Sequence, residues 1–189
     1  MQHPLEKIPE PIRRRWLWSL LIASGILVMI FAVTGASLNT GAAPQGIVSL
    51  QVAGSVTKAS EMIASWDSKA RLLAAFGLGI DYLFMPVYAT LLGLACIGAA
   101  QQLRRSKWPL ATLGSWLAWG LWLAAIFDAL ENIAQLVMLL GPVVSPWPEI
   151  SAVCAYIKFA LIFTGIQYAF YGVAVWGLAR FAPKGSATL

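Results

Sequence analysis

The sequence predicts an all-α protein, a four-helix transmembrane bundle with an interfacial amphipathic helix on its outer side. Hydrophobic residues make up 59% of the 189 residues and charged residues only 11%, whereas a soluble domain carries about a quarter charged residues. Four apolar runs are each long enough to cross a bilayer, which takes about 20 residues. These runs far exceed the roughly ten alternating residues of a membrane barrel strand, so helices are predicted instead of strands.

The four spans are assigned to single continuous runs, and residues 1–189 are taken as one membrane domain. The spans cover residues 16–35, 72–100, 108–140 and 151–179. The last three are longer than the ~30 Å apolar core requires at ~1.5 Å per residue, so we expect them to tilt or to project into the interface. The first run is longer than a signal-peptide core, which favours an anchor over a cleaved segment.

The basic residues indicate the orientation. Nine lysines and arginines fall on one side of the predicted spans: Lys7, Arg13, Arg14, Arg15, Arg104, Arg105, Lys107, Arg180 and Lys184. The positive-inside rule makes this side cytoplasmic, with both termini inside. We therefore expect a multi-pass protein of the bacterial inner (plasma) membrane. The net charge of +5 follows from this asymmetry, and no basic stripe interleaved with aromatics points to nucleic acid.

The segment between the first two spans, residues 36–68, is the sizeable loop on the outer side. From Val56 to Trp66 its apolar residues recur at steps of three and four, which predicts an amphipathic helix. This helix could pack on the membrane surface or act as a lid over the bundle, and the sequence leaves both open. Residues 46–53 are ambiguous between a short strand and an interfacial turn.

Cysteine and histidine usage argues against a redox or metal centre. Cys96 and Cys154 lie near opposite ends of their spans and cannot form a disulfide. His3, the one histidine, lies in the N-terminal tail, so a histidine-ligated haem or zinc site within the membrane is not predicted. We expect no metal and no cofactor.

Four ionisable residues within the spans are the most informative feature of the sequence. They are Asp81 in the second span, Asp128 and Glu131 in the third, and Lys158 in the fourth. Each would cost roughly 2.5–3.5 kcal/mol if isolated at the bilayer centre, so they must be paired, hydrated or protonated. Helix geometry places them at similar depths in the outer half of the membrane.

The third span carries the sharpest pattern. Asp128, Glu131, Asn132 and Gln135 stand at i, i+3, i+4 and i+7, which is a single polar stripe on an otherwise apolar helix. Tyr88 lies two turns along from Asp81. We expect these side chains to face the bundle interior together. Three carboxyls and one ammonium would leave a net charge of −2 if all were ionised, so we expect either a protonated carboxyl or a cationic ligand there.

Several stretches resemble one group of proteins. The segments APQGIVSLQVAG, LGIDYLFMPVYA, DALENIAQL and YIKFAL are similar to a group of uncharacterised four-span bacterial inner-membrane proteins, with an acid in the second span and a DxxEN stripe in the third. The resemblance covers about residues 16–180. It implies a four-span fold, and no activity is assigned to the group.

The residues favour a protein that binds a small polar, cationic or amphipathic ligand in an outward-facing pocket. In an extended form of this hypothesis, the protein also translocates the ligand. The ligand-binding or proton-binding candidates are Asp81, Tyr88, Asp128, Glu131, Asn132, Gln135 and Lys158. One alternative is a small membrane enzyme that uses two of the carboxyls as an acid/base pair on a lipid-soluble substrate. Another is an accessory subunit that docks through the tryptophans of the third span. The expected partners are membrane lipid and an unidentified small ligand; a homo-oligomer or a partner in a membrane complex stays open.

Overall fold

A computed structural model of the chain describes residues 3–181, which contain helices and no strand. A short 3₁₀ helix, Pro4–Lys7, precedes the first long helix. A second 3₁₀ turn, Ala36–Leu38, follows that helix. The α-helices are α1 (Glu10–Gly35), α2 (Ile47–Gln51), α3 (Val56–Ala64), α4 (Ser68–Arg105), α5 (Leu113–Leu140) and α6 (Trp147–Phe181).

Four of these helices, α1, α4, α5 and α6, are long and apolar enough to cross a membrane. The all-α bundle predicted from the sequence is therefore confirmed, and the chain is a multi-pass membrane protein. The helices extend beyond the predicted spans at most ends. The exception is α5, which begins at Leu113 instead of 108, because the link before it contains Pro109 and two left-handed residues, Lys107 (φ 55°) and Leu110 (φ 66°). Lys184 lies outside the described residues.

The bundle is built on three helices with the fourth at its side. The extensive helix contacts join α4, α5 and α6 to one another, whereas α1 packs mainly on α4. Arg13 is the one buried residue of α1, and its guanidinium donates a hydrogen bond to the side chain of Gln101 on α4. Helix α1 is therefore a flanking wall, and most of its apolar surface faces lipid.

Glycine and alanine let α6 approach α4 closely at one end of the bundle. A Cβ added at Gly172 would lie 2.3 Å from the Cβ of Ala99. Around this contact Cys96, Leu103, Leu121, Tyr168 and Val175 form a continuous apolar cluster. This packing fills the end of the bundle that holds the N-terminus and the α4–α5 link.

The opposite end is covered by residues 36–67, which we call the cap. Within residues 46–53, the structure has the short helix α2, Ile47–Gln51, and no strand. Trp66 is 2% exposed, and its indole nitrogen donates to the carbonyl oxygen of Leu38 at 2.8 Å. Together with Ile63 of α3 and Leu50 of α2, Trp66 packs on Ala74 of α4 and on Met138 of α5. Helix α3 is thus part of a packed layer over the bundle.

Candidate functional site

The polar stripe of α5 lies inside the bundle because α5 packs between α4 and α6. Asp128, Glu131, Asn132 and Gln135 are 4%, 0%, 1% and 0% exposed. Their spacing of three and four residues matches the pattern of the other buried residues on this helix, such as Ala124. Buried charges and amides of this kind require partners from neighbouring helices.

Lys158 supplies the positive charge from α6. Its ammonium lies 2.7 Å from Asp128 Oδ1 and 2.7 Å from Glu131 Oε2, and the lysine side chain is 5% exposed. Gln135 donates to the other oxygen of Glu131 at 2.8 Å. One lysine therefore bridges two carboxylates that stand one helical turn apart on α5.

Helix α4 adds the remaining polar groups. Tyr88 donates its hydroxyl hydrogen to Asp128 Oδ2 at 3.1 Å. Asn132 donates to Asp81 Oδ2 at 2.9 Å and to the carbonyl oxygen of Leu78 at 3.3 Å. The structure thus brings all seven candidate residues together where α4, α5 and α6 meet, in two bonded groups. Asp81 is paired with Asn132, and the second group consists of Tyr88, Asp128, Glu131, Gln135 and Lys158.

Asp81 differs from the other two acids. It is half-buried, and within residues 3–181 it forms no salt bridge. Its hydrogen bond comes from the neutral amide of Asn132. Of the three carboxyls, Asp81 is therefore the one with no cation of residues 3–181 within salt-bridge distance.

A cavity of about 450 Å³ lies beside this network, which is within the usual range of small-molecule sites. Its walls come from α1, α4, α6 and the cap, and α5 contributes Asp128. Most of the lining is apolar, and the polar members are Ser24, Thr34, Gln51, Asp81, Tyr88, Asp128 and Lys158. Phe31, Phe84 and Phe159 are among its aromatic lining residues. The cavity is therefore an apolar space with a charged patch on one wall.

The cavity is lined by part of the candidate set. Asp81, Tyr88, Asp128 and Lys158 line it, whereas Glu131, Asn132 and Gln135 do not. These last three are enclosed behind the wall, because they lie on the face of α5 that packs on α4 and α6. Of the polar stripe on α5, only Asp128 reaches the cavity wall. The other stripe residues lie behind the wall.

Sequence reasoning missed the contribution of α1 and of the cap. Ser24, Phe31, Thr34 and Gly35 line the cavity, and their offsets of seven, ten and eleven residues place them on one face of α1. That spacing was a readable signal. Gln51 of α2, which is 8% exposed, had no comparable signal because the fold of residues 46–53 was ambiguous.

The next question is whether the described residues could bind a metal ion. Within residues 3–181 no group of three or more histidine, cysteine, aspartate or glutamate side chains is placed to hold a metal ion. Cys96 and Cys154 are both buried and free. The side chains of the polar patch can form ion pairs and hydrogen bonds and can exchange protons.

Comparison with known proteins adds no assignment. The chain matches no protein-family model, no curated protein and no solved structure. Function is therefore argued from the site itself.

Proposed function

We propose that this membrane protein binds a small amphipathic ligand in the cavity between α1, α4 and α6. The observation that carries the proposal is the lining of the cavity. A long apolar wall suits a hydrocarbon tail, and the patch of Asp81, Asp128 and Lys158 suits a polar head. Sites of this type use many apolar contacts for affinity and a few polar groups for orientation.

The walls favour entry from the lipid. Helix α1 forms one side of the cavity yet packs mainly on α4, and its apolar side chains are largely exposed. A molecule already dissolved in the bilayer would therefore reach the cavity past α1 without crossing water. The cap closes the space over the bundle through Leu38, Ile47 and Val48.

Binding is favoured over translocation by the packing at the other end. The cluster that includes Leu103, Leu121 and Val175 fills the bundle there. A continuous polar path beside it would require several buried apolar side chains to separate. The proposal is therefore a binding site with one lipid-facing entrance.

We further propose that the protein resides in a bacterial inner membrane with the cap outside and both termini in the cytoplasm. The support is the distribution of basic residues. Arg13, Arg14, Arg15, Arg104, Arg105 and Lys107 all lie at the end of the bundle opposite the cap. The cap end carries Lys58, Lys69 and Arg71 together with Glu61 and Asp67. This excess follows the positive-inside rule.

The test is photolabelling of the purified protein in phosphatidylcholine nanodiscs. The probes are dodecylamine, dodecanol and dodecanoic acid, each carrying a diazirine near the end of the chain. Mass spectrometry of the labelled protein then locates the adducts. We expect at least one probe to label the cavity faces of α4 and α6 above the level seen at the lipid-exposed residues Ile126, Leu130 and Ile133 of α5.

Two glycines of α4 provide a matched pair of variants. A side chain at Gly77 would extend into the cavity, because Gly77 lines the cavity and a Cβ there meets nothing within 4 Å. Gly79 is exposed, and its Cβ also meets nothing. Gly77→Phe should abolish cavity labelling, and Gly79→Phe should preserve it. If no probe gives labelling that Gly77→Phe removes, the proposed binding site is wrong.

A further inference from the structure

We infer that the ligand is an alkyl amine or a similar amphiphile whose cationic head donates a hydrogen bond to Asp81. This inference rests on the proposed function, because it names the chemical class that the same cavity would hold. The cationic head follows from how charge is distributed among Asp81, Asp128, Glu131 and Lys158.

The charge of Lys158 is already engaged. Its ammonium contacts a carboxylate oxygen of Asp128 and one of Glu131, each at 2.7 Å. Asp128 also accepts a hydrogen bond from Tyr88, so the Tyr88 hydroxyl and two of the three N–H donors of Lys158 are used within the protein. The charge of Lys158 is matched by two carboxylates, so an anionic head group would be repelled by the net negative charge of the patch.

Asp81 differs from Lys158, because its charge is not paired within residues 3–181. Its Oδ2 accepts from Asn132, and the residue is half-buried at the cavity wall with no cation of residues 3–181 in salt-bridge range. A carboxylate in such a place is stabilised by a charged donor, because hydrogen bonds between ions are roughly twice as strong as neutral ones. A ligand ammonium would supply both the charge and the donor.

Aromatic rings add a second feature that suits a cation. Phe84 and Tyr88 follow Asp81 at i+3 and i+7, so they lie on the same face of α4 and line the cavity with it. The rings of Phe84 and Tyr88 are 5.4 Å apart, and Phe31 of α1 packs edge-on against Phe84 at 5.6 Å. Aromatic faces attract ammonium groups, most strongly away from water.

The cavity wall that continues past Phe84 and Tyr88 accommodates a tail. Cavity-lining residues of α4 continue from Asp81 to Leu92, a distance of ~16 Å at ~1.5 Å per residue. This is close to the extended length of a dodecyl chain. The tail would lie among Leu91, Leu92, Ile162 and Ile166, which are all apolar cavity residues.

The experiment compares the three dodecyl probes at neutral pH in phosphatidylcholine nanodiscs, whose uncharged surface does not concentrate the amine. Cavity labelling for each probe is divided by its labelling of the exposed α5 face, which corrects for partitioning. We expect dodecylamine to label the cavity at least about tenfold more efficiently than dodecanol or dodecanoic acid, as a charge-assisted hydrogen bond implies.

Asp81→Asn is the decisive variant, since it keeps the size of the side chain and removes its charge. It should remove the preference for dodecylamine. Cavity labelling by dodecanol that Gly77→Phe removes in the Asp81→Asn background establishes that the cavity is intact. Equal cavity labelling by all three probes, or an amine preference that survives in Asp81→Asn, would overturn the inference. Those results would leave the proposed binding site in place, because Gly77→Phe would still remove the labelling.

Discussion

Lys158 and Glu131 form an ion pair that protein atoms enclose almost completely. Nζ of the lysine lies 2.7 Å from Oε2 of the glutamate, and the two side chains are 5% and 0% exposed. The pair joins α6 to α5, and the same ammonium also holds Asp128 of α5. In this position the lysine is the cation of residues 3–181 that lies within salt-bridge distance of both buried acids of α5.

Lys158→Met should therefore destabilise the protein strongly. The variant keeps a long apolar side chain but leaves Asp128 and Glu131 without their cation, and breaking a buried pair in this way costs about 3–5 kcal/mol. We expect a lower midpoint of thermal unfolding in detergent, measured by tryptophan fluorescence.

Two further variants control this measurement. Lys58→Met removes an exposed lysine of the cap and should leave the midpoint nearly unchanged. Combining Lys158→Met with Asp128→Asn and Glu131→Gln removes the uncompensated charges and should recover much of the loss. A single Lys158→Met variant as stable as the wild type would refute the structural role given to the pair.

A second prediction concerns the contact of α6 with α4. Gly172→Ala places a methyl group 2.3 Å from the Cβ of Ala99, so the two helices must separate, and overpacking of this kind costs about 1–3 kcal/mol. Gly177→Ala on the same helix meets nothing within 4 Å and should be neutral or slightly stabilising, since alanine is the better helix former. Thermal unfolding of both variants gives the comparison, and equal midpoints would contradict the close approach.

The long helices and the convergence of charge were predictable because both follow from short-range rules. Run length predicts a span, and the i, i+3, i+4, i+7 spacing of Asp128 to Gln135 allows one face only, which must avoid lipid. Pairing preference then brings Lys158 to the acids. None of these steps requires knowledge of which helix neighbours which.

The cavity was not predictable in this way, because it arises from what the helices leave unfilled. It depends on α1 packing on α4 beside α6, and the sequence of α1 has no charged residue within its span to specify a neighbour. The burial of Trp66 was not predictable either, because it also depends on how separate segments pack. An amphipathic segment ending in tryptophan fits an interfacial anchor equally well, and its packing with Leu50 and Met138 decides between the two.

The orientation of the chain gives a third prediction. Lys58 in the cap and Lys107 in the α4–α5 link are both exposed and lie at opposite ends of the bundle. Single cysteines at these positions, in a Cys96→Ala and Cys154→Ala background, should react differently with a membrane-impermeant maleimide applied to intact cells. Lys58→Cys should be labelled, and Lys107→Cys should be labelled only after the membrane is opened. The reverse pattern would invert the proposed topology.

The fourth prediction concerns the N-terminal segment, which packs against the bundle at the end opposite the cap. His3 is 2% exposed, and its ring packs edge-on against Trp119 with 4.5 Å between centroids. Nδ1 accepts a hydrogen bond from the Leu5 amide at 3.2 Å, so the docked imidazole is neutral. Glu6 accepts a hydrogen bond from Ser115 at 2.5 Å.

Burial lowers the pKa of His3 below its ordinary value of 6.5, although the charge of Glu6 opposes this shift. The hydrogen bond from Ser115 lowers the pKa of Glu6 from 4.5, so Glu6 stays ionised through the range in which His3 titrates. The docked N-terminal segment is therefore fully stabilised above a pH of about 6.5. As the pH falls below this value, docking weakens, because the undocked His3 binds a proton more readily than the docked one.

A nitroxide attached to Lys7→Cys, in the background without native cysteines, would report this change by electron paramagnetic resonance. Its mobility should increase as the pH falls from 8 to about 5.5, because the protonated imidazole loses both its acceptor atom and its place beside Trp119. His3→Asn keeps a side-chain acceptor for the Leu5 amide but cannot titrate, so its mobility should not change with pH. A pH response of the same size in His3→Asn would assign the change to a group other than His3.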